Sequence, residues 1–311
     1  MFGSSAPTAT ERCIDVSSDW NGEEVAFEQV APNGWLIAYE PKPKRRYLVN
    51  GNPVAASITE ILKVLHKEAL SWWGQCVGIS GLLQLRSMGY DMDKLIRSKP
   101  AEMEWYPYSR LFASGPLTEA KLSVNHIRDE AGTRGKSVHD ALQRYATDRV
   151  VPDPHEYPEH EQGYVIALIA FLYDVPSLRP EAAELMVASL EHDIAGRYDL
   201  RGATETAHRV VTKVYPTAPS KTTTIPPGNY LWDLKTAVDV FPEHALQLGG
   251  YEGMSLESGY PATDGQIVIQ LGQDGRYQAR RSRATFEDFL AIKSCWEAYH
   301  RVDEALKIPY R

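Results

Sequence analysis

The stretch Leu231-Trp232-Asp233-Leu234-Lys235-Thr236-Ala237 decides the fold around it, because it has the pattern of a buried strand and yet carries two charges. Side chains alternate between the two faces of a strand, so Asp233 and Lys235 leave the same face. Burying a carboxylate and an ammonium in an apolar strand costs free energy, so such groups are expected to be paired or to serve a function. Two interpretations are therefore open: an ion pair on the solvated face of an edge strand, or part of a functional site.

Charge and cysteine content narrow the function classes. The chain has 311 residues and a formal net charge of -8, from 41 acidic and 33 basic side chains. A nucleic acid would therefore be held by a local basic groove or by metal ions rather than by the overall electrostatic field of the protein.

The three cysteines, Cys13, Cys76 and Cys295, are far apart and form no C-x-x-C pair. They indicate neither a zinc knuckle nor a disulfide framework, and a reducing cytoplasm fits best. No apolar run approaches the roughly 18 residues that span a bilayer, so neither membrane insertion nor export is expected.

The hydrophobic pattern of residues 151–311 predicts a core of helices and strands. Helices are predicted over residues 159–173, 244–256 and 286–306. Two strands are predicted over residues 184–190 and 197–201, joined around Ala195-Gly196. Further strands are predicted over residues 231–237, the D-x-K strand that contains Asp233-Leu234-Lys235, and over residues 266–271 and 277–281. A polar insert at residues 207–228 precedes the D-x-K strand. The expected architecture is α/β, with a mixed β-sheet flanked by helices.

The N-terminal part divides into three pieces. Residues 1–25 are rich in Ser, Thr, Asp and Glu and are expected to form a disordered leader. Residues 26–56 contain apolar pieces on both sides of a basic, Pro-rich connection, which predicts a small β-hairpin. Ser57, with Glu60 three residues later, has the pattern of a capping box. It opens a helical region over residues 57–150, with helices at 70–88 and 117–130, which is expected to border the cleft.

Asp199 is the first of three features that accompany the D-x-K strand. It follows Gly196, where the missing Cβ lets backbone or a ligand approach closely. If neighbouring strands carry Asp199 and Asp233 on one face, the two carboxylates converge and repel each other. A divalent cation relieves that repulsion, and oxygen ligands of this type suit Mg²⁺ or Mn²⁺.

A histidine and a Gln–Tyr pair are the other two features. His139 is expected near the start of a helix, just after a Gly-rich, basic turn that begins at Gly132, and such a helix start favours a nearby phosphate. Gln247 and Tyr251 are four residues apart and share one face of the helix that follows the D-x-K strand. Taken singly, these residues are explained by a structural histidine and an ordinary amphipathic helix.

Four short motifs in order resemble the PD-(D/E)XK nuclease superfamily, specifically the RecB-like branch that includes phage exonucleases and the CRISPR-adaptation nucleases. The motifs are Gly135-Lys136-Ser137-Val138-His139, Gly196-Arg197-Tyr198-Asp199, Asp233-Leu234-Lys235 and Gln247-Leu248-Gly249-Gly250-Tyr251. Residues 47–59 also look like the N-terminal segment of phage members. The resemblance covers residues 45 to 305 and implies a restriction-endonuclease-like nuclease core over residues 151–311.

The resemblance also implies a role for each residue in hydrolysis of a DNA phosphodiester. The metal ligands would be His139, Asp199, Asp233 and the backbone carbonyl of Leu234, around one or two Mg²⁺ or Mn²⁺ ions. Lys235 would orient and acidify the attacking water, and Gln247 and Tyr251 would position water, phosphate or Lys235. Residues expected at the margin of the site are Arg134 and Lys136, as phosphate contacts, and Glu184 and Glu191, as carboxylates that support the ligands.

A metal-dependent DNA exonuclease is the leading hypothesis, acting in phage or bacterial recombination, repair or DNA processing. Its partners would be DNA ends and an unidentified recombination or replication protein, in the cytoplasm of the cell or of a phage host. A single-strand or structure-specific endonuclease with the same site is a second hypothesis, and an inactive nucleic-acid-binding module is a third. The CRISPR-adaptation nucleases commonly hold an iron-sulfur cluster with four cysteines, so the three scattered cysteines of this chain predict no such cluster.

Overall fold

A four-stranded antiparallel sheet opens the described part of the chain. The computed structural model describes residues 27–41, 44–65, 68–213 and 219–306, so the leader predicted at 1–25 lies outside the described residues. The strands follow in chain order: β1 (Phe27–Val30), β2 (Leu36–Glu40), β3 (Arg46–Val49) and β4 (Asn52–Pro53). The predicted N-terminal hairpin corresponds to β2 and β3, whose register pairs Ile37 with Val49.

Helices dominate the next segment. Strand β5 (Ala56–Ser57) leads into α1 (Ile58–Ile61), and Ser57 Oγ accepts the backbone N–H of Glu60 at 3.3 Å, which satisfies one free donor of the helix start. The helices that follow are α2 (Glu68–Ser87), α3 (Met92–Arg97), α4 (Trp105–Ser114), α5 (Pro116–Glu119) and α6 (Val124–Asp148). The helix predicted over 117–130 is wrong, because Lys121, with φ of +59°, lies between α5 and α6.

The chain divides into two compact units: residues 66–137, and residues 1–65 together with 138–311. The remaining elements all belong to the larger unit, residues 1–65 with 138–311. They are α7 (Glu159–Asp174), β6 (Leu178–Ser189), β7 (Ile194–Thr204), β8 (His208–Lys213), β9 (Lys221–Ile225), β10 (Gly228–Lys235), α8 (Pro242–Glu257), β11 (Gly265–Leu271), β12 (Tyr277–Ser282) and α9 (Phe286–Leu306). The helices and strands predicted beyond residue 151 are therefore present, with ends that differ by a few residues.

A six-stranded mixed sheet forms the centre of the larger unit. Its strand order is β12-β11-β10-β7-β5, with β6 also paired to β7. Strands β10 and β11 run parallel, whereas β10 is antiparallel to β7 and β7 is antiparallel to β6. The predicted α/β architecture with a mixed sheet flanked by helices is confirmed.

The D-x-K strand separates two apolar cores. Trp232 and Leu234 belong to the core that contains α7, where the Trp232 ring lies 5.5 Å from the ring of Phe171. Leu231 belongs to the other core, with residues of α8 and α9. Because side chains alternate, Asp233 leaves the sheet on the side of Leu231. Its side chain is 0 % exposed and β10 is paired on both edges, so the interpretation as a solvated edge strand is wrong.

The turn between β6 and β7 lies at residues 190–193 rather than at Ala195-Gly196 as predicted. Gly196 lies inside β7, and a Cβ at this position would be 2.7 Å from Cε1 of Tyr251. Glycine is therefore required here by close packing and not by a turn.

The polar insert forms a β-hairpin. Strands β8 and β9 are antiparallel, and Val210 and Ile225 are buried in the core that contains α7. The long spacing between Asp199 and Asp233 reflects this hairpin, of which residues 214–218 lie outside the described residues. Among the helices of the described residues, none combines the length and the apolar character needed to cross a bilayer.

Candidate active site

Strand β7 changes partner at the site. It pairs with β5 at Ile194 and Ala195 and with β10 from Leu200 onwards, while β6 follows it along its length. Asp199 lies between the two partners, and its Oδ2 accepts the backbone N–H of Leu234 at 2.6 Å. A carboxylate thus replaces a strand-to-strand hydrogen bond, which fixes Asp199 against the D-x-K strand.

The pairing registers align three carboxylates across neighbouring strands. On β6, the neighbours of Glu184 pair with the neighbours of Asp199, because Ala183 pairs with Leu200 and Leu185 pairs with Tyr198. On β10, the pairing with β7 ends at Trp232 and Leu200, so Asp233 and Asp199 are the next residues of the two strands. Residues that face each other on adjacent strands have Cβ atoms only about 5 Å apart. The sheet therefore gathers negative charge into one row.

His139, on α6, contacts two of these carboxylates. Its Nδ1 lies 3.2 Å from Oδ1 of Asp199 and 3.3 Å from Oε1 of Glu184. The other oxygen of Glu184, Oε2, lies 2.7 Å from Nε of Arg197. Ligand atoms of His139, Glu184 and Asp199 all lie within 4.8 Å of one another, a spacing that could hold one metal ion.

The electrostatics of this cluster favour positive charge. Burial acts to lower the pKa of His139, but the carboxylates of Asp199 and Glu184 outweigh it and raise the pKa to about 9. Burial acts to raise the pKa of Glu184, yet its contacts with His139 and Arg197 hold that pKa below the usual range. The imidazolium, shared between two carboxylates, supplies the kind of charge that a metal ion would supply.

Asp233 and Lys235 form a buried pair. Lys235 Nζ donates to Asp233 Oδ1 at 2.8 Å, and the exposed fractions of the two side chains are 18 % and 0 %. No described residue donates a hydrogen bond to the buried Oδ2 of Asp233. An unsatisfied buried carboxylate oxygen needs an explanation, and a cation is one. The D-x-K pair is thus charged, enclosed and incompletely satisfied.

The carboxylates also shape the charge of Lys235. Burial acts to lower its pKa, but Asp233 and Asp199 together raise it above the ordinary value. Burial raises the pKa of Asp233, and Lys235 opposes that rise. Lys235 is therefore an ammonium near neutral pH, able to donate hydrogen bonds or stabilise a developing negative charge.

Gln247 and Tyr251 meet on one face of α8, as their spacing predicts. Gln247 Nε2 donates to the Tyr251 hydroxyl oxygen at 2.9 Å. The Tyr251 ring lies edge-on to Tyr198 with centroids 6.0 Å apart, and burial raises the pKa of its hydroxyl well above the usual value. A phenol with so high a pKa keeps its proton and acts as a hydrogen-bond donor.

A cavity of about 220 Å³ joins these groups. It is lined by residues from the N-terminal segment, α6, the sheet and α8: Tyr47, Ser57, Ile58, Thr59, His139, Glu184, Gly196, Arg197, Asp199, Lys235, Gln247 and Tyr251. The lining combines two carboxylates with hydroxyls, an amide, the His139 imidazolium and the cations of Arg197 and Lys235. The arrangement can bind a metal ion beside donors for an anionic ligand.

Several residues lie elsewhere than the sequence indicated. His139 is not near a helix start, because α6 runs without a break from Val124 to Asp148 through both glycines of the expected turn. Glu191 lies in the exposed turn between β6 and β7. Arg134 is half-buried and Lys136 is exposed within the unit of residues 66–137. The predicted helix start near His139 is therefore wrong, and phosphate contact by Arg134 and Lys136 stays a prediction.

Sequence reasoning gave Glu184 a supporting role and missed Arg197, Tyr47, Ser57 and Thr59. A usable signal existed for Arg197: it stands two residues before Asp199 on a strand and must share its face. The others come from the N-terminal segment, and no local pattern links them to the D-x-K strand.

A scan against models of known protein families finds no match, and a search of curated proteins finds no similar one.

Replacing Gly196 with alanine tests the packing of Tyr251. A Cβ only 2.7 Å from the Tyr251 ring must displace a buried side chain, so we expect a loss of about 1–3 kcal/mol in the free energy of unfolding. Gly132→Ala is the control, because nothing lies within 4 Å of that Cβ and alanine favours a helix. Chemical denaturation measures both variants, and equal stability for Gly196→Ala and wild type would contradict the packing argument.

Proposed function

We propose that this protein is a metal-dependent nuclease that hydrolyses DNA phosphodiester bonds, with an exonuclease as the favoured mode. The observation that carries the proposal is the convergence of Glu184, Asp199, Asp233 and His139 with Lys235 in and directly beside one cavity. The finer fold assignment, a restriction-endonuclease-like core, rests on the order of the four motifs and on the mixed sheet that carries the second and third of them. The biological setting, phage or bacterial DNA recombination, repair or processing, rests on the resemblance alone.

The donor set fits a hard divalent cation. Carboxylate oxygens suit Mg²⁺ and Mn²⁺, and a single imidazole is compatible with Mn²⁺. Glu184, Asp199 and His139 would hold the ion, with His139 releasing its extra proton so that the neutral imidazole coordinates. The unsatisfied Oδ2 of Asp233 is a further oxygen in need of a cation. When bound, such an ion withdraws charge from a phosphodiester and lowers the pKa of water.

Lys235 would act on the attacking water and on charge in the transition state. Its ammonium is fixed by Asp233 at 2.8 Å and lines the cavity. A fixed cation costs little reorganisation during reaction, so it stabilises negative charge that develops on the phosphoryl oxygens. The remaining N–H donors of Lys235 can orient a water molecule.

Gln247 and Tyr251 would hold the phosphate or the water by hydrogen bonds. Tyr251→Phe removes one hydroxyl and leaves the ring that packs on Gly196. We expect a decrease of roughly 10–100-fold in the cleavage rate, because one neutral hydrogen bond contributes about 1–3 kcal/mol when its loss leaves a partner unsatisfied. Steady-state cleavage assays on a labelled oligonucleotide measure it. Tyr299→Phe, at an exposed position on α9, is the control, and identical rates for the two variants would exclude a role for the Tyr251 hydroxyl.

The proposed activity is tested with end-labelled single- and double-stranded DNA, incubated with Mg²⁺ or Mn²⁺ and, in parallel, with a chelator. Degradation that requires the metal is expected. A covalently closed single-stranded circle separates the two enzymatic modes, since a strict exonuclease leaves it intact and an endonuclease cuts it. No cleavage of any of these substrates, together with no calorimetric binding of Mn²⁺, would favour the inactive binding module and contradict the proposal.

A further inference from the structure

Glu184 has an unusual backbone for a residue inside a strand. Its φ is +52°, in the left-handed region that residues other than glycine rarely adopt. The strand continues on both sides of it, because Ala183 and Leu185 keep their pairing with β7. Strained backbone of this kind persists only where the surroundings impose it, and it is concentrated at functional sites.

Arg197 supplies the contact that fixes the Glu184 carboxylate. The guanidinium Nε lies 2.7 Å from Oε2, which leaves Oε1 at 3.3 Å from Nδ1 of His139. The Glu184 side chain is only 15 % exposed, so its carboxylate cannot be held by bulk water alone. One oxygen is therefore engaged by Arg197 while the other faces the acidic cluster.

We propose that Arg197 is a positioning residue that acts through Glu184. Together with the left-handed backbone, its ion pair aims Oε1 at the position between His139 and Asp199 and so sets the affinity for a divalent cation. This inference rests on the proposed metal site. Arginine suits this role because its planar guanidinium fixes the orientation of a carboxylate as well as pairing with its charge. Partners that orient metal ligands typically contribute 10–100-fold to metal affinity.

The first test compares Mn²⁺ binding by calorimetry, and the Mn²⁺ paramagnetic resonance spectrum, in wild type, Arg197→Met and Arg197→Lys. We expect Arg197→Met to bind Mn²⁺ roughly 10–100-fold more weakly and Arg197→Lys to recover part of the loss, since it restores the charge but not the planar contact. Arg276→Met is the control, because it breaks an exposed ion pair with Asp274 between β11 and β12, and neither residue lines the cavity. Wild-type affinity and an unchanged spectrum in Arg197→Met would overturn the inference.

The second test isolates the backbone strain. Glu184→Gly and Glu184→Ala both remove the carboxylate, but only glycine accepts the left-handed conformation without strain. We expect both to bind Mn²⁺ weakly and Glu184→Gly to melt at the higher temperature. A Glu184→Ala variant as stable as Glu184→Gly would contradict the strain, and wild-type Mn²⁺ affinity in either would contradict the role of the carboxylate.

These outcomes are distinguishable from failure of the proposed function. If wild type binds no Mn²⁺ and cleaves no DNA, the proposed function fails. If wild type does both while Arg197→Met matches it, only the role of Arg197 fails.

Discussion

Lys235→Met is expected to reduce metal-dependent DNA cleavage by a factor of about 10³ or more, within the range that a fixed acid–base or charge-stabilising group contributes. The ammonium is held at 2.8 Å from Asp233 and lines the cavity, whereas methionine occupies a similar volume without charge or donors. Mn²⁺ binding should persist, because Lys235 is not one of the proposed metal ligands. Single-turnover cleavage and calorimetry on the same preparation measure the two properties.

The control for this variant is Lys63→Met, which removes an exposed lysine in the same unit. It should cleave DNA at the wild-type rate. Circular dichroism should be alike for both variants. Cleavage by Lys235→Met within about tenfold of wild type, a difference of only about 1.4 kcal/mol, would remove Lys235 from the mechanism.

Asp233→Asn has the second of the two largest expected effects. The amide has the shape of the carboxylate and can still accept from Lys235, but it loses the charge of the buried Oδ2. We expect cleavage to fall by about 10³-fold or more, because a carboxylate is lost where positive charge must be held, and Mn²⁺ binding to weaken in parallel. The same assays measure both effects.

Asp148→Asn, an exposed position near the end of α6, is the matched control for charge removal. Thermal unfolding checks that Asp233→Asn remains folded. A folded Asp233→Asn variant with wild-type Mn²⁺ affinity and wild-type cleavage would exclude Asp233 from the site.

Local spacing accounts for the part of the site that the sequence predicted. Asp233 and Lys235 share a face because strands repeat every two residues, and Gln247 meets Tyr251 because helices bring residues four apart together. The mixed sheet and its flanking helices follow from hydrophobic period in the same way. The roles assigned to these residues stay predictions.

Non-local geometry accounts for what the sequence could not predict. Glu184 reaches His139 through the register of β6 against β7 and through its left-handed backbone, neither of which a local pattern encodes. Glycine usually signals a turn, so the sequence predicts one around Ala195-Gly196, whereas in the structure the missing Cβ of Gly196 makes room for the Tyr251 ring. Gly132 and Gly135 likewise predict a turn before His139, yet both lie in the interior of α6.

The most direct measurement of the central claim is paired titration of wild type and Asp199→Asn with Mn²⁺, following metal binding and DNA cleavage in the same samples. Asp199 contacts His139 at 3.2 Å and the Leu234 N–H at 2.6 Å, and an asparagine oxygen can keep the second contact while the charge is lost. The account predicts that wild type binds Mn²⁺ and cleaves DNA, and that Asp199→Asn stays folded but loses both. Cleavage by wild type that does not depend on the metal, or undiminished cleavage by Asp199→Asn, would contradict it.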